Sequence, residues 1–395
     1  MRLPRGFSFA GLSAGIKEDG KKDLALIVSE VPATATAVFT RNRVVAAPVI
    51  LSRKILKKGR CQAVVINSGN ANACTGYRGL EAAKEVQKRV ARHLALDPSL
   101  VAVASTGKIG VPLPVPRVVR ALPRLVQSLS IKNFQKAAVA ILTTDRFAKV
   151  AFYEGKMGGQ RYSIVGFAKG AGMIRPDMGP HATMLAFILT DLAVQPNLLK
   201  KAFLPVVDET FNRITVDGDT STNDMALVLA NGLSGGSLSG QRTIRHFKNG
   251  LLEVMQKLAI AMVRDGEGGT KVVKVTICGA RNREEARKAA YAVAESELVK
   301  TSFYGQDPNW GRLLAAAGRS GATFDPSRAD IYYDDLLVAR KGSTTGPAFE
   351  KRARQVMRQN QFLVTLDLHA GSASFHVYSS DLTVDYVKLN AHYRT

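Results

Sequence analysis

The stretch CQAVVINSGNANACTGYRGLEAAKEVQKRVARHLALDPSLVAVASTGKIG (61–110) decides the architecture. Its first part is a short apolar run ending in a polar, glycine-bearing turn, which reads as a buried strand over 61–69. Leu80, Ala83, Val86, Val90 and Leu94 then recur at helical spacing. VAVASTG (101–107) is a second buried strand that stops at Thr106-Gly107. Strand, helix and strand in succession belong to an α/β protein.

The pattern continues outward on both sides. Strands are expected at 23–30 and 34–40, a helical stretch over roughly 116–142, and strands at KVAFYE (149–154) and RYSIVGFAKG (161–170). KGAGMIRPDMGPHA (169–182) is interrupted by glycine and proline and reads as a loop, followed by the apolar TMLAFILTDL (183–192). Helices are expected at 196–213, 241–265 and 282–300, with a buried element at 225–232 and a strand at 271–280. ADIYYDDLLVA (329–339), QFLVTLDLH (361–369), ASFHVYSS (373–380) and LTVDYVKL (382–389) read as strands. Mixed sheets covered by helices follow, with a smaller carboxy-terminal subdomain over 281–395 and residues 183–280 completing the main domain.

The 395 residues are 46% hydrophobic and 22% charged, a globular composition long enough for two or three domains. Three cysteines, Cys61, Cys74 and Cys278, make neither a disulfide framework nor a zinc spacing. No apolar run suits a membrane span and the amino terminus does not read as a signal peptide, so a cytoplasmic protein is expected. Fifty-five basic residues against 32 acidic ones leave a charge of +23, spread along the chain without a basic tail. Nucleic-acid binding therefore stays an alternative, but one without a motif.

Familiar catalytic patterns fail. GxxxxGK[ST], GxGxxG and HExxH are absent. The six histidines are scattered, although His369 and His376 could approach one another at a sheet edge. GxSxG occurs around Ser13 and Ser234, yet neither serine sits between a strand and a helix as a nucleophile elbow requires. What remains is five polar, glycine-punctuated segments at the ends of buried strands: 67–76, 105–110, 169–185, 216–224 and 264–271. Strand-end loops of this kind are where α/β proteins place ligands. Within them Thr183 follows the glycine-proline loop. Its hydroxyl is a poor nucleophile unless the preceding bond is cut, when the new α-amine, with a pKa of about 8, can take the proton.

These segments carry a resemblance. NSGNANACTG, STGKIG, KGAGMI with ATML, and VDGDTSTND, together with GFSFAGLSAGIK near the start and NAHYRT at the end, make the whole chain resemble the ornithine acetyltransferase (glutamate N-acetyltransferase) family of arginine biosynthesis. The resemblance implies an amino-terminal-nucleophile-like layered fold. It also implies self-cleavage between Ala182 and Thr183 into an α chain (1–182) and a β chain (183–395) that associate as α2β2. Thr183 is then the nucleophile, and Thr106 with Gly107 forms the oxyanion hole. Thr143, Thr144, Lys169, Thr183, Glu267, Asn390 and Thr395 become the substrate-contacting residues. The implied substrates are N2-acetylornithine and glutamate, with no metal or cofactor and with acetyl-CoA as an optional second acetyl donor. The chain departs from the family pattern at Arg146, after Thr143-Thr144-Asp145, and in the length of the loop containing Gly179-Pro180-His181. The rival readings are an amino-terminal-threonine aminopeptidase or amidase, and the basic nucleic-acid binder.

Overall fold

The computed structural model describes residues 2–176 and 184–392. Two compact units form: residues 2–212 with 220–262, and residues 213–219 with 263–392. The larger unit contains β1 (Phe7–Leu12), β2 (Leu24–Phe39), β3 (Arg60–Asn70), β4 (Val101–Lys108), β5 (Lys149–Met157), β6 (Gln160–Lys169) and β7 (Leu185–Thr190). The two-residue β8 (Ile214–Thr215) belongs to the smaller unit, and β9 (Met225–Ala230) returns to the larger one.

The strand order β4-β3-β2-β9-β7-β6-β5, with β1 also on β2, is mixed. β3 and β4 are parallel, as are β7 and β9, and the other pairs are antiparallel. Parallel partners need a crossover, and α2 (Gly76–Leu94) supplies it between β3 and β4, as the 61–110 pattern required. α1 (Ala47–Leu56), α2 and α3 (Val115–Gln127) share one apolar cluster with β3 and β4, where Val65, Val86, Val90, Val103 and Leu122 meet. α4 (Phe134–Ala140) covers the opposite face. There Phe134 sits edge-on to Phe9 and Phe167, with centroids 5.1 and 5.5 Å apart. Each such pair adds about 0.5–1.5 kcal/mol beyond burial. α5 (Pro196–Glu209) and α6 (Gly240–Arg264) complete the helices of this half.

The smaller unit has its own sheet, β13-β12-β11-β14-β10-β15-β8. Its strands are β10 (Val272–Ala280), β11 (Asp330–Tyr333), β12 (Leu336–Arg340), β13 (Ser343–Thr344), β14 (Gln361–Asp367) and β15 (Ala373–Ser380) with β8. α7 (Arg283–Ala294), α8 (Glu297–Tyr304), α9 (Trp310–Gly318) and α10 (Pro347–Met357) accompany this sheet, and their apolar residues form a separate core with it. The mixed α/β class read from the sequence is the class observed. The smaller unit takes in β10, so the division falls before 272–280 rather than after it.

Several elements differ from expectation for local reasons. LTVDYVKL forms no strand: α11 runs Val384–His392, because the Thr383 hydroxyl takes the Tyr386 N–H at 3.1 Å and starts a helix. The helix expected over 116–142 breaks after Gln127, where Ser130 exchanges backbone hydrogen bonds with Phe9. The strands at 23–30 and 34–40 are one long β2 with an irregular register between Val28 and Ala33, and the 329–339 strand is a hairpin turning at Asp334, φ +49°. The helix expected across 282–300 is two, broken at Glu295 and Ser296.

Candidate active site

The ends of β3 and β4 are the starting point. Their register sets Asn67 beside Ser105, Ser68 beside Thr106 and Gly69 beside Gly107. The Ser105 hydroxyl donates to Asn67 Oδ1 at 2.6 Å, and the Ser68 hydroxyl donates to the Ala140 carbonyl at 2.6 Å. Gly107 has φ +131°, and a Cβ there would lie 2.4 Å from the Gly69 carbonyl carbon and 2.5 Å from the Asn70 nitrogen. Only glycine fits.

The polar loops at these strand ends bind one another. Asn223 Nδ2 donates to the Ala71 carbonyl at 2.6 Å and to the Ser105 carbonyl at 2.9 Å, tying 216–224 to both 67–76 and 105–110. Thr40 Oγ1 donates to the Ser221 carbonyl, and Ala46 N–H to the Thr222 carbonyl. Next along the chain, Asp224 is almost wholly buried, and among the described residues its Oδ2 has no hydrogen-bond partner. Burial pushes this carboxyl well above the usual range, against the pull of Ser221, Lys169 and Thr40. Asp224 ends where β9 begins, and the next residue's N–H donates to the Met184 carbonyl at 2.7 Å.

A charged cluster sits on the β5–β6 side. Asp145, its side chain fully buried, accepts from Lys149 Nζ at 2.6 Å, from the Gly170 N–H at 2.7 Å and from the Thr143 N–H at 2.9 Å. Lys169 Nζ is 3.9 Å from the same carboxylate. Burial alone would raise the Asp145 carboxyl, but Lys169, Lys149 and the hydrogen bonds outweigh it and hold it below the usual range. Thr143, Lys169 and the oxyanion pair expected at Thr106 and Gly107 thus all belong to the larger unit, as does Thr144.

Glu267 and Asn390 belong to the smaller unit, and they meet there: Asn390 Nδ2 donates to Glu267 Oε2 at 2.9 Å. Tyr386, one turn earlier on α11, has its hydroxyl raised by burial and by Asp217, Glu267 and Asp219. Ala182, Thr183 and Thr395 lie outside the described residues. The two histidines singled out earlier have separate partners. His369 pairs with Asp330 at 3.0 Å, and His376 lies 2.9 Å from Arg213, its pKa pushed down to about 3 by burial and by Arg213 and Lys274.

Residues 8–395 match the ArgJ family. The chain belongs to that family. It is 49% identical over 393 residues to the arginine biosynthesis bifunctional protein ArgJ of Geobacter sulfurreducens, with 99% of each chain covered. It is also 49% identical over 396 residues to the protein of the same name from Syntrophotalea carbinolica, again with 99% of each covered. Among solved structures, the arginine biosynthesis bifunctional protein ArgJ of Bacillus halodurans is 37% identical, with a TM-score of 0.50, and the match covers 52% of this chain and 98% of that one. Membership in the ArgJ family favours an enzyme over the nucleic-acid binder. Among the described residues no helix is long and apolar enough to cross a membrane.

Sequence reading missed Asp145 and Lys149 as a unit, and it missed Asp224. Asp145 adjoins the expected Thr144, and Lys149 heads an apolar strand as an inward lysine, a signal that was available. Nothing in the sequence distinguished Asp224 from its polar neighbours.

Proposed function

We propose that this ArgJ-family chain is an arginine-biosynthesis acetyltransferase that moves the acetyl group of N2-acetylornithine to glutamate. It first cuts itself between Ala182 and Thr183. The freed Thr183 α-amine then accepts the proton of its own hydroxyl, which attacks the acetyl carbonyl. The Thr106 hydroxyl and the Gly107 N–H stabilise the oxyanion, ornithine leaves, and glutamate collects the acetyl group. Lys169, with Thr143 and Thr144, serves the substrate's anionic end, and Glu267 with Asn390 its cationic end; Thr395 is the last substrate contact.

The observation that carries this reading is the family match along residues 8–395, which takes in every one of these positions. The closeness of Gly107 to β3 and the cationic group around Asp145 support it. The fate of the two fragments is supported by topology. β7 lies between β6 and β9 in one sheet, so strands from both sides of the cut share ladders and the fragments stay associated. We propose α2β2 as the assembly, to be read from the mass in solution.

Incubation with N2-acetylornithine and glutamate tests the function: N-acetylglutamate and free ornithine should form in equal amounts. Hydrolysis to acetate without glutamate acetylation would instead indicate the amidase reading. Replacing acetylornithine by acetyl-CoA decides whether a second donor is used.

A further inference from the structure

One cation beside this site has no role in the reaction just described. Asp23, fully buried at the start of β2, accepts the N–H groups of Ala14 (2.6 Å), Ile16 (2.6 Å) and Lys17 (3.0 Å). Its own carbonyl accepts from the Ser68 N–H at 2.8 Å, which fixes the 14–17 loop against the end of β3. The Lys17 side chain consequently lies across Gly69: a Cβ at residue 69 would be 2.9 Å from Lys17 Cγ. Gly69 is the register partner of Gly107. Lys17 Nζ then donates to the Leu142 carbonyl at 2.7 Å, immediately before Thr143, and to the Lys22 carbonyl at 2.9 Å.

Two of the three ammonium hydrogens are used this way, and among the described residues the third has no acceptor. The charges around it are mixed: Lys17 lies among Asp23, Asp19 and Asp145, while Lys169 faces Asp145 and Asp224. Burial lowers the Lys17 pKa, Lys169 lowers it further, and Asp23, Asp19 and Asp145 oppose them. A substrate carboxylate beside Lys17 would take the unused donor.

We propose that Lys17 joins Lys169 in binding the α-carboxylate of the amino-acid substrate. This rests on the acetyl-transfer reading, in which that carboxylate is the anionic group that donor and acceptor share at a common position. Acetylornithine has no other carboxylate, whereas glutamate has a second one on its side chain. Lys17→Met keeps the apolar stem and removes the charge.

The test measures KM for acetylornithine and for glutamate in the full-length wild type, Lys17→Met and Lys17→Arg, with self-cleavage checked on denaturing gels. A charge-assisted hydrogen bond predicts that Lys17→Met raises both KM values by about ten- to a hundredfold. Lys17→Arg should restore much of the loss. In the wild type KM for both substrates should rise at alkaline pH as Lys17 deprotonates, and with arginine that rise should move to higher pH. Should the methionine variant fail to cleave, the arginine variant's pH shift carries the test. Unchanged KM values, or a rise for glutamate alone, would overturn the proposal while leaving acetyl transfer intact. A wild type without acetyl transfer would overturn the parent reading and the proposal with it.

Discussion

Replacing Gly107 by alanine probes the strand end on which catalysis is proposed to depend. The new Cβ would sit 2.4 Å from the Gly69 carbonyl carbon and 2.5 Å from the Asn70 nitrogen, both backbone atoms of the neighbouring strand. Neither can swing aside as a side chain could. Backbone strain at φ +131° adds to this overlap. Strain of about 1–3 kcal/mol and overpacking of about 1–3 kcal/mol together predict a loss of about 2–6 kcal/mol. In urea that should lower the unfolding midpoint by about 1–2 M, read by circular dichroism. A displaced Gly107 N–H should also slow acetyl transfer by about 100–1,000-fold in molecules that remain folded and cleaved. Gly69→Ala is the control. Its Cβ meets first Lys17 Cγ at 2.9 Å and no backbone atom closer than 3.6 Å, so its loss should be smaller than that of Gly107→Ala. Equal damage from the two substitutions, or Gly107→Ala with wild-type stability and turnover, would refute the reasoning.

Lys149→Met should destabilise the protein by about 3–5 kcal/mol in urea unfolding, because it removes the ammonium group that donates to the buried Asp145 carboxylate at 2.6 Å. Asp145 also sets an acid limit. Its folded pKa lies below that of the unfolded chain, so its stabilisation is complete above about pH 4 and is lost as pH falls toward the folded value. Acid titration of wild type and Lys149→Met should show the wild type losing more stability across that interval. Glu267→Gln should raise KM for acetylornithine more than KM for glutamate, and equal increases would make the Glu267–Asn390 contact structural only.

Much of the architecture was legible because the 61–110 segment combines two buried strands with a helix whose apolar residues recur every three or four positions. The failures share a physical origin. Leu382, Val384 and Tyr386 alternate as a strand would, but a single threonine hydroxyl starts a helix there. Alternation records which residues are apolar and says nothing of where the first turn finds its acceptor. The candidate site was legible only as local segments, such as 67–76 and 105–110, whose polar, glycine-bearing composition is read directly. It was illegible where atoms far apart in sequence meet. Asn223 reaching Ala71 and Ser105, Lys17 reaching Leu142, and the burial of Asp224 depend on sheet order, which no short pattern encodes.

The central claim is that Thr183 carries the acetyl group. Mature enzyme incubated with N2-acetylornithine alone, then digested and mapped by mass spectrometry, tests it most directly. The expected result is a burst of free ornithine and one acetyl group on the β-chain peptide that begins Thr183-Met184-Leu185-Ala186, discharged when glutamate is added. An acetyl group on any other residue, or none under conditions that support turnover, would contradict the assignment.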